Sequence, residues 1–183
     1  FKITLNDGTV FTNESKFTLK EKAQSINQLN RVAQQTPLAV SPLTEITSSL
    51  TYQGTNETAA HAGKGEFQIF YDNEAGLLDK VIIVCDGFDP ADGRDTGSIY
   101  NLLNYGTPTQ NLGDNVRNLG YDVVVLNFPI YTRPDGITNI DGGVDYIQRN
   151  ARVMIELINY INANKVGNQE LVVIGPSMGG LIT

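Results

Sequence analysis

The sequence predicts an α/β fold in which a mostly parallel sheet is flanked by helices. Residues 80–85, 121–128 and 170–174 form three runs rich in β-branched residues, which is the composition of central strands covered on both faces. Helical patterns separate these runs, and such alternation is typical of βαβ units. A chain of 183 residues, of which 40% are hydrophobic, can bury one substantial core.

A β-hairpin and a helix are predicted at the start of the chain. Asp7-Gly8 lies between two short apolar segments of residues 2–12, and this dipeptide favours a hairpin turn because Gly tolerates positive φ. From residue 18 onward, apolar residues recur at spacings of three and four. This spacing predicts a helix that ends before Pro37.

The boundary of the main domain is predicted near residue 65. Residues 41–65 are rich in Ser, Thr, Gly and Asn without a clear period, and we interpret them as a linker or a loosely packed extended connection. The N-terminal extension then comprises residues 1–64, and the α/β domain comprises residues 65–183.

Strands and helices alternate after this boundary. Residues 66–71 alternate polar and apolar side chains, as a half-exposed strand does. Gly120 follows a helical stretch, at the position where helices commonly end in a left-handed residue. The predicted elements are strand 66–71, strand 80–85, helices 98–104 and 111–119, strand 121–128, a long helix at 143–164, and strand 170–174.

The long helix carries an apolar stripe in steps of three and four, which predicts one face packed against the sheet. Arg149, Arg152 and Glu156 fall off this stripe, so we expect them to lie off the packed face. The stripe consists of Val144, Ile147, Ala151, Met154, Ile158 and Ile161.

The charge balance argues against nucleic acid and membranes as partners. Lys and Arg number 13 against 20 Asp and Glu, a formal net charge of -7, so no cationic surface is available for a phosphate backbone or an anionic bilayer. The longest apolar runs, residues 81–85 and 171–174, are far shorter than the roughly 20 residues that span a bilayer. We expect no nucleic-acid partner and no stable membrane insertion. Low Lys and Arg content with abundant Asn, Thr and Ser favours a secreted or periplasmic bacterial protein.

No metal and no cofactor are expected. Cys85 is the only cysteine, so the chain has no internal disulfide and no thiolate cluster for structural zinc. The acidic loop at residues 89–95 lacks the ligand spacing of a calcium-binding EF-hand. We interpret it as a turn in which Asp95 or Thr96 caps the next helix.

The motif that carries chemistry follows the last predicted strand. Residues 175–179 read Gly-Pro-Ser-Met-Gly, the G-x-S-x-G pattern at a strand-to-helix turn. On so sharp a turn the backbone of Ser177 is strained, and side chains at Gly175 or Gly179 would collide with the neighbouring strand and helix. Ser177 is the candidate nucleophile, and the amide of Met178 is a candidate oxyanion donor. A plain Gly-rich turn is the alternative interpretation.

Through this motif, residues 66–183 resemble the α/β-hydrolase superfamily. The resemblance implies that a loop after the third strand supplies a second oxyanion-hole amide. That loop corresponds here to Asp86-Gly87-Phe88, with Asp86 in place of the more usual His, and Gly87 and Phe88 are the candidate donors, Phe88 being favoured. The combination of this loop with the G-x-S-x-G turn is similar to that of bacterial secreted esterases and lipases. It implies hydrolysis of a small-molecule ester or lipid-like substrate through an acyl-enzyme.

Two aromatic residues are candidates for lining a substrate pocket. Phe128 ends the strand at 121–128, and Tyr131 lies in the loop that leaves this strand, where open α/β sheets bind ligands. Asp135 and Asp141 in the same loop are interpreted as turn residues and as caps of the long helix. Peptidases, thioesterases and acyltransferases use the same nucleophile turn, so these activities stay open as alternatives.

The other members of a catalytic triad are not evident in the sequence. In the resembled family the order along the chain is Ser, then Asp or Glu, then His. The single histidine, His61, precedes Ser177 and is interpreted as a solvated loop residue. We therefore expect the acid and the histidine beyond Thr183, with the domain truncated after the nucleophile turn and nearly inert as given. A non-catalytic binding module on a hydrolase scaffold is the second hypothesis.

Overall fold

The computed structural model describes residues 2–4, 10–12 and 38–183, and the chain divides into two compact units, Phe1–Gln35 and Thr36–Thr183. In the first unit, β1 (Lys2–Thr4) pairs antiparallel with β2 (Val10–Thr12). This pairing confirms the predicted hairpin. The helix predicted between residue 18 and Pro37 lies outside the described residues.

The second unit is a mixed α/β fold. The strands and helices predicted between residues 66 and 174 are all present, whereas an edge strand and two short hairpins were not predicted. Its elements are β3 (Thr44–Tyr52), β4 (His61–Phe70), β5 (Val81–Cys85), α1 (Thr96–Asn101), β6 (Asn104–Tyr105), β7 (Gln110–Asn111), α2 (Leu112–Arg117), β8 (Asp122–Asn127), β9 (Ile130–Thr132), β10 (Asn139–Asp141), a 3₁₀ turn (Gly142–Val144), α3 (Ile147–Asn164), β11 (Val172–Ile174) and α4 (Gly179–Ile182).

Five strands form the main sheet, in the order β11-β5-β8-β4-β3. β5 pairs parallel with both β11 and β8 and lies between them, so the three strands predicted from β-branched runs are parallel neighbours. β4 pairs antiparallel with β8 and with β3. The sheet is therefore mixed rather than mostly parallel. Two antiparallel hairpins, β6–β7 and β9–β10, lie outside it.

The stretch interpreted as a linker is part of this sheet. Residues 44–52 form the edge strand β3, and residues 61–65 form the first half of β4. Only Ile46 and Ser48 of β3 are buried. An edge strand that buries so few side chains shows little apolar period, which is why composition alone did not indicate a strand.

Helices cover both faces of the sheet, as the buried strand composition predicts. Ile83 of β5 joins one core cluster with Val153 of α3, and its neighbour Val84 joins a second cluster with Ile99 of α1. Because successive side chains of a strand point to opposite faces, α3 and α1 lie on opposite sides. Every residue of β5 and β8 is buried between them. Among the described helices, none is both long and apolar enough to cross a membrane.

The packed face of α3 differs from the predicted stripe. Arg149 was expected off this face, yet its side chain is fully buried, whereas Val144 precedes the helix in the 3₁₀ turn and is 42% exposed. The reason is a long-range contact, because the β3–β4 connection brings Glu57 to Arg149. The buried residues of α3 are Arg149, Asn150, Val153, Met154, Leu157 and Ile161.

Four local predictions concern caps and turns. Asp95 caps α1 by accepting a hydrogen bond from the Ser98 amide at 2.7 Å, and Gly120 has a φ of 86° after α2. Asp135 makes a turn by accepting from the amides that follow it. These three predictions are confirmed. The expected cap by Asp141 is wrong, because its carboxylate accepts from the Ala91 amide instead.

Candidate active site

Ser177 lies in the turn between β11 and α4. Its φ of 55° is in the left-handed region, which non-glycine residues rarely adopt because the β-carbon crowds the backbone. Ser177 is exposed, and its hydroxyl has no hydrogen-bond partner among the described residues. The turn thus holds the backbone of Ser177 in a strained conformation at the carboxyl edge of the parallel strands. It leaves the hydroxyl exposed and without a hydrogen bond to the described residues.

The glycines around Ser177 are required by close backbone contacts. A β-carbon on Gly175 would overlap the carbonyl oxygen of Gly179. A β-carbon on Gly179 would lie 2.9 Å from the carbonyl oxygen of Cys85 and 2.8 Å from that of Asp86. Separations under 3.0 Å force backbone movement, so no larger residue fits either position without distorting the turn.

The loop after β5 reaches the same turn. β5 and β11 are parallel neighbours, so their carboxyl ends open onto one edge of the sheet. A β-carbon on Gly87 would lie 3.2 Å from the β-carbon of Ser177 and 3.8 Å from the amide nitrogen of Met178. The two loops therefore lie at the same end of the sheet and contact each other.

Some backbone amides of these loops have a hydrogen-bond acceptor within the protein, and others do not. Asp89 donates its amide to the Gly143 carbonyl at 3.1 Å, and the Gly87 amide bonds to the carboxylate of Asp86. Within residues 38–183, no acceptor is found for the amides of Phe88 and Met178. Phe88 is exposed and Met178 is half-buried, so their amides do not need an acceptor within the protein. Of the candidate donors Gly87 and Phe88, the Gly87 amide is therefore already engaged, and the Phe88 amide is not.

A groove of about 530 Å³ opens beside the turn that contains Ser177. Phe88 is 58% exposed and lines it, so the residue that holds one free amide also presents its ring to the groove. Asp145 contributes a carboxylate that is already bonded to the Arg149 guanidinium at 2.6 Å. The lining residues are Phe88, Val144, Asp145, Tyr146, Ile147, Gln148 and Met178.

The two candidate pocket residues lie elsewhere. Phe128 is 1% exposed and packs in the core cluster of α3. Tyr131 lines a different hollow, beside Lys64, and donates its hydroxyl to Asp145 at 3.1 Å. Neither is among the residues that line the groove beside Ser177. The residues that leave β8 turn away into the β9–β10 hairpin, which the sequence pattern did not reveal.

His61 is not a solvated loop residue, and this interpretation is wrong. It begins β4, is 6% exposed, and its Nε2 lies 3.3 Å from Glu57 and 3.0 Å from Nε of Arg133. Its ring meets that of Tyr131 edge-on, with centroids 6.3 Å apart. The only imidazole of the chain thus interacts with a buried polar cluster and not with Ser177.

Glu57 is the centre of this polar cluster. Its two carboxylate oxygens bond to Arg133 and Arg149, and His61 and the amide of Gly54 contact the same group. Burial acts to raise the pKa of Glu57, but these hydrogen bonds outweigh it and lower the pKa to about 2. The cluster ties the β3–β4 connection to α3. Sequence reasoning missed it because Glu57 and His61 lie far along the chain from Arg133 and Arg149, and because the off-stripe position of Arg149 indicated that it lies off the packed face.

No protein-family model matches the chain, and no curated protein matches it.

One group of carboxylates lies at the opposite end of β8. Asp72, Asp79 and Asp122 place oxygens within 4.8 Å of one another. Asp122 accepts hydrogen bonds from the amides of Asp72 and Asp79, at 3.0 and 2.9 Å, so both of its oxygens already have partners. Burial raises the pKa of Asp122 to about 6. We assign this group a structural role in joining three chain segments.

Proposed function

We propose that this chain carries the nucleophile and oxyanion-binding half of an α/β-hydrolase-type serine hydrolase that acts on carboxylic esters. The observation that supports it most strongly is the pairing of Ser177, held at a φ of 55°, with two amides that have no acceptor among the described residues. Strain of this kind persists where the surrounding structure enforces it, and it is common at catalytic turns.

The chemistry follows from these groups. The Ser177 oxygen attacks the ester carbonyl while its proton passes to a general base, and the carbonyl oxygen becomes an oxyanion that accepts from Phe88 and Met178. The alcohol leaves with a proton returned by the base, and water then hydrolyses the acyl-serine by the same steps. The groove beside Phe88 would hold part of the ester.

The base is proposed to be a histidine outside these 183 residues. The only histidine of the chain, His61, is bonded to Glu57 and Arg133, so it is not available to take a proton from Ser177. The same observation favours the second candidate, a non-catalytic binding module on a hydrolase scaffold. Peptidase, thioesterase and acyltransferase activities remain alternatives of the same turn.

The test uses the complete product of the gene. Hydrolysis of p-nitrophenyl butyrate and labelling by a fluorophosphonate probe are measured for the natural protein, Ser177→Ala and Ser49→Ala. Ser49 is an exposed serine of β3 that serves as the matched control. Ser177→Ala is expected to lower kcat by about 10³-fold or more and to abolish labelling, while Ser49→Ala retains both.

Two results would contradict the proposal. Undiminished turnover by Ser177→Ala shows that the nucleophile is another residue. Absence of turnover and of labelling in the natural protein, when the fold is intact by circular dichroism, leaves the binding-module hypothesis.

A further inference from the structure

One guanidinium holds the whole loop that carries Phe88. Arg94 bonds to Asp86 through Nε at 3.2 Å and through Nη2 at 3.3 Å, and Nη2 also donates to the carbonyl oxygen of Phe88 at 2.9 Å. Its Nη1 lies 3.5 Å from the carboxylate of Asp89. Arg94 therefore contacts the carboxylates on both sides of Gly87-Phe88 and the backbone between them.

These contacts fix the peptide units on either side of the Phe88 amide. The unit after Phe88 is held at its carbonyl by Arg94 and at its N–H by the carbonyl of Gly143. The unit before it is held through the bond between the Gly87 amide and Asp86. With both neighbouring units held, the Cα atoms of Gly87 and Phe88, which bound the peptide unit that contains the Phe88 N–H, are fixed in position.

The loop depends on this cation because it buries two acids. The side chain of Asp86 is 2% exposed and that of Asp89 is 7% exposed, whereas that of Arg94 is 28% exposed. Burial raises the pKa of Asp86, the charge of Asp89 adds to the increase, and Arg94 opposes both effects. Removing the guanidinium would leave two buried carboxylates without a cation, and such pairs reorganise or take up a proton.

We propose that Arg94 is a positioning residue that holds the Phe88 amide in place for the oxyanion. This inference rests on the proposed function. Arg94 acts through the loop, because its donors are occupied by Asp86, Phe88 and Asp89 and it makes no contact with Ser177. Precise placement of a donor matters most in the transition state, so its loss should affect kcat more than KM.

The test compares Arg94→Met and Arg94→Lys with the matched control Arg152→Met in the complete gene product. Arg152 is a partly exposed arginine of α3 that donates to the Gln148 carbonyl at 2.9 Å. We expect Arg94→Met to lower kcat for p-nitrophenyl butyrate by about 10- to 100-fold with KM within about twofold. Arg94→Lys should fall between Arg94→Met and the natural protein, since one ammonium cannot reach all three acceptors. Arg152→Met should leave both constants unchanged.

Hydrogen exchange provides a readout that does not need activity. Exchange of the peptide that covers residues 86–95 is expected to accelerate in Arg94→Met and not in Arg152→Met, while exchange of β5 and β8 is unchanged. Equal kcat for Arg94→Met and Arg152→Met overturns the inference, as does a loss of kcat matched by an equal loss of folded protein. If the natural protein is inactive, the proposed function fails. In that case, unchanged exchange of residues 86–95 in Arg94→Met overturns the positioning role as well. Accelerated exchange in Arg94→Met shows that Arg94 holds the loop, without a link to catalysis.

Discussion

Gly87 lies against Ser177, with the position of a β-carbon on Gly87 only 3.2 Å from the β-carbon of Ser177 and 3.1 Å from the carbonyl oxygen of Pro176. Such separations are tighter than most side-chain contacts, so the loop after β5 and the turn after β11 meet backbone to backbone. This contact places the loop that contains Phe88 against the turn that contains Ser177 and Met178.

Gly87→Ala is expected to lower kcat by about 10- to 100-fold while the melting temperature changes little. The added methyl must push the two loops apart by a few tenths of an ångström, which misplaces the donors without opening the core. Ester hydrolysis and thermal unfolding of the complete gene product check this. Gly97→Ala in α1 is the control, because its nearest atom outside the helix is 3.6 Å away and Ala favours a helix. Equal kcat for the two variants would refute the assigned contact.

Ser177→Gly is expected to raise the free energy of unfolding by about 1 kcal/mol while removing esterase turnover. Glycine adopts a φ of 55° without the steric cost that serine carries there. Chemical denaturation measures the stability change. Ala91→Gly, at a φ of 63°, should stabilise similarly and retain turnover. A destabilised Ser177→Gly protein would show that the turn is not strained.

Arg149→Met is expected to destabilise the domain by about 3–5 kcal/mol. The substitution keeps most of the volume of the side chain but leaves the carboxylates of Glu57 and Asp145 without their buried cation. Urea denaturation compares it with Arg152→Met on the same helix, for which a change within about 1 kcal/mol is expected. Similar losses in the two variants would contradict the buried ion pair as the cause.

Glu57 should make the stability of the domain depend on pH in the acid range. Its folded-state pKa of about 2 lies below the ordinary value of 4.5, so its contribution is complete above about pH 4.5 and is lost as the pH falls towards 2. The expected loss is about 1–3 kcal/mol, from 1.36 kcal/mol for each unit of pKa difference with allowance for screening. Glu57→Gln, compared with the natural protein in urea titrations at pH 3 and pH 6, should be less stable at pH 6 and show a smaller pH dependence. An identical pH dependence would exclude Glu57 as its source.

Local sequence patterns predicted the central strands of this fold. Long-range contacts determine the burial of the residues that were predicted wrongly. The strands β5, β8 and β11 are visible in the sequence because continuous burial leaves an apolar run, and the turn at Ser177 is visible because steric crowding requires glycine. His61 and Arg149 were misplaced because their environment depends on Glu57, which reaches them from a connection without any periodic signal. The contacts of Arg94 are local, but they lie in an irregular loop, which gives no periodic signal.

The single thiol of the chain lies beneath the turn that contains Ser177. Cys85 is the last residue of the central strand, is fully buried, and its carbonyl oxygen lies where a side chain on Gly179 would be. Burial raises the pKa of the Cys85 thiol to about 12, so almost no reactive thiolate forms while the strand is closed. A thiol reagent will modify this protein only at the rate at which the middle of the sheet opens. The rate at which Cys85 is modified therefore measures how often the sheet beneath Ser177 opens.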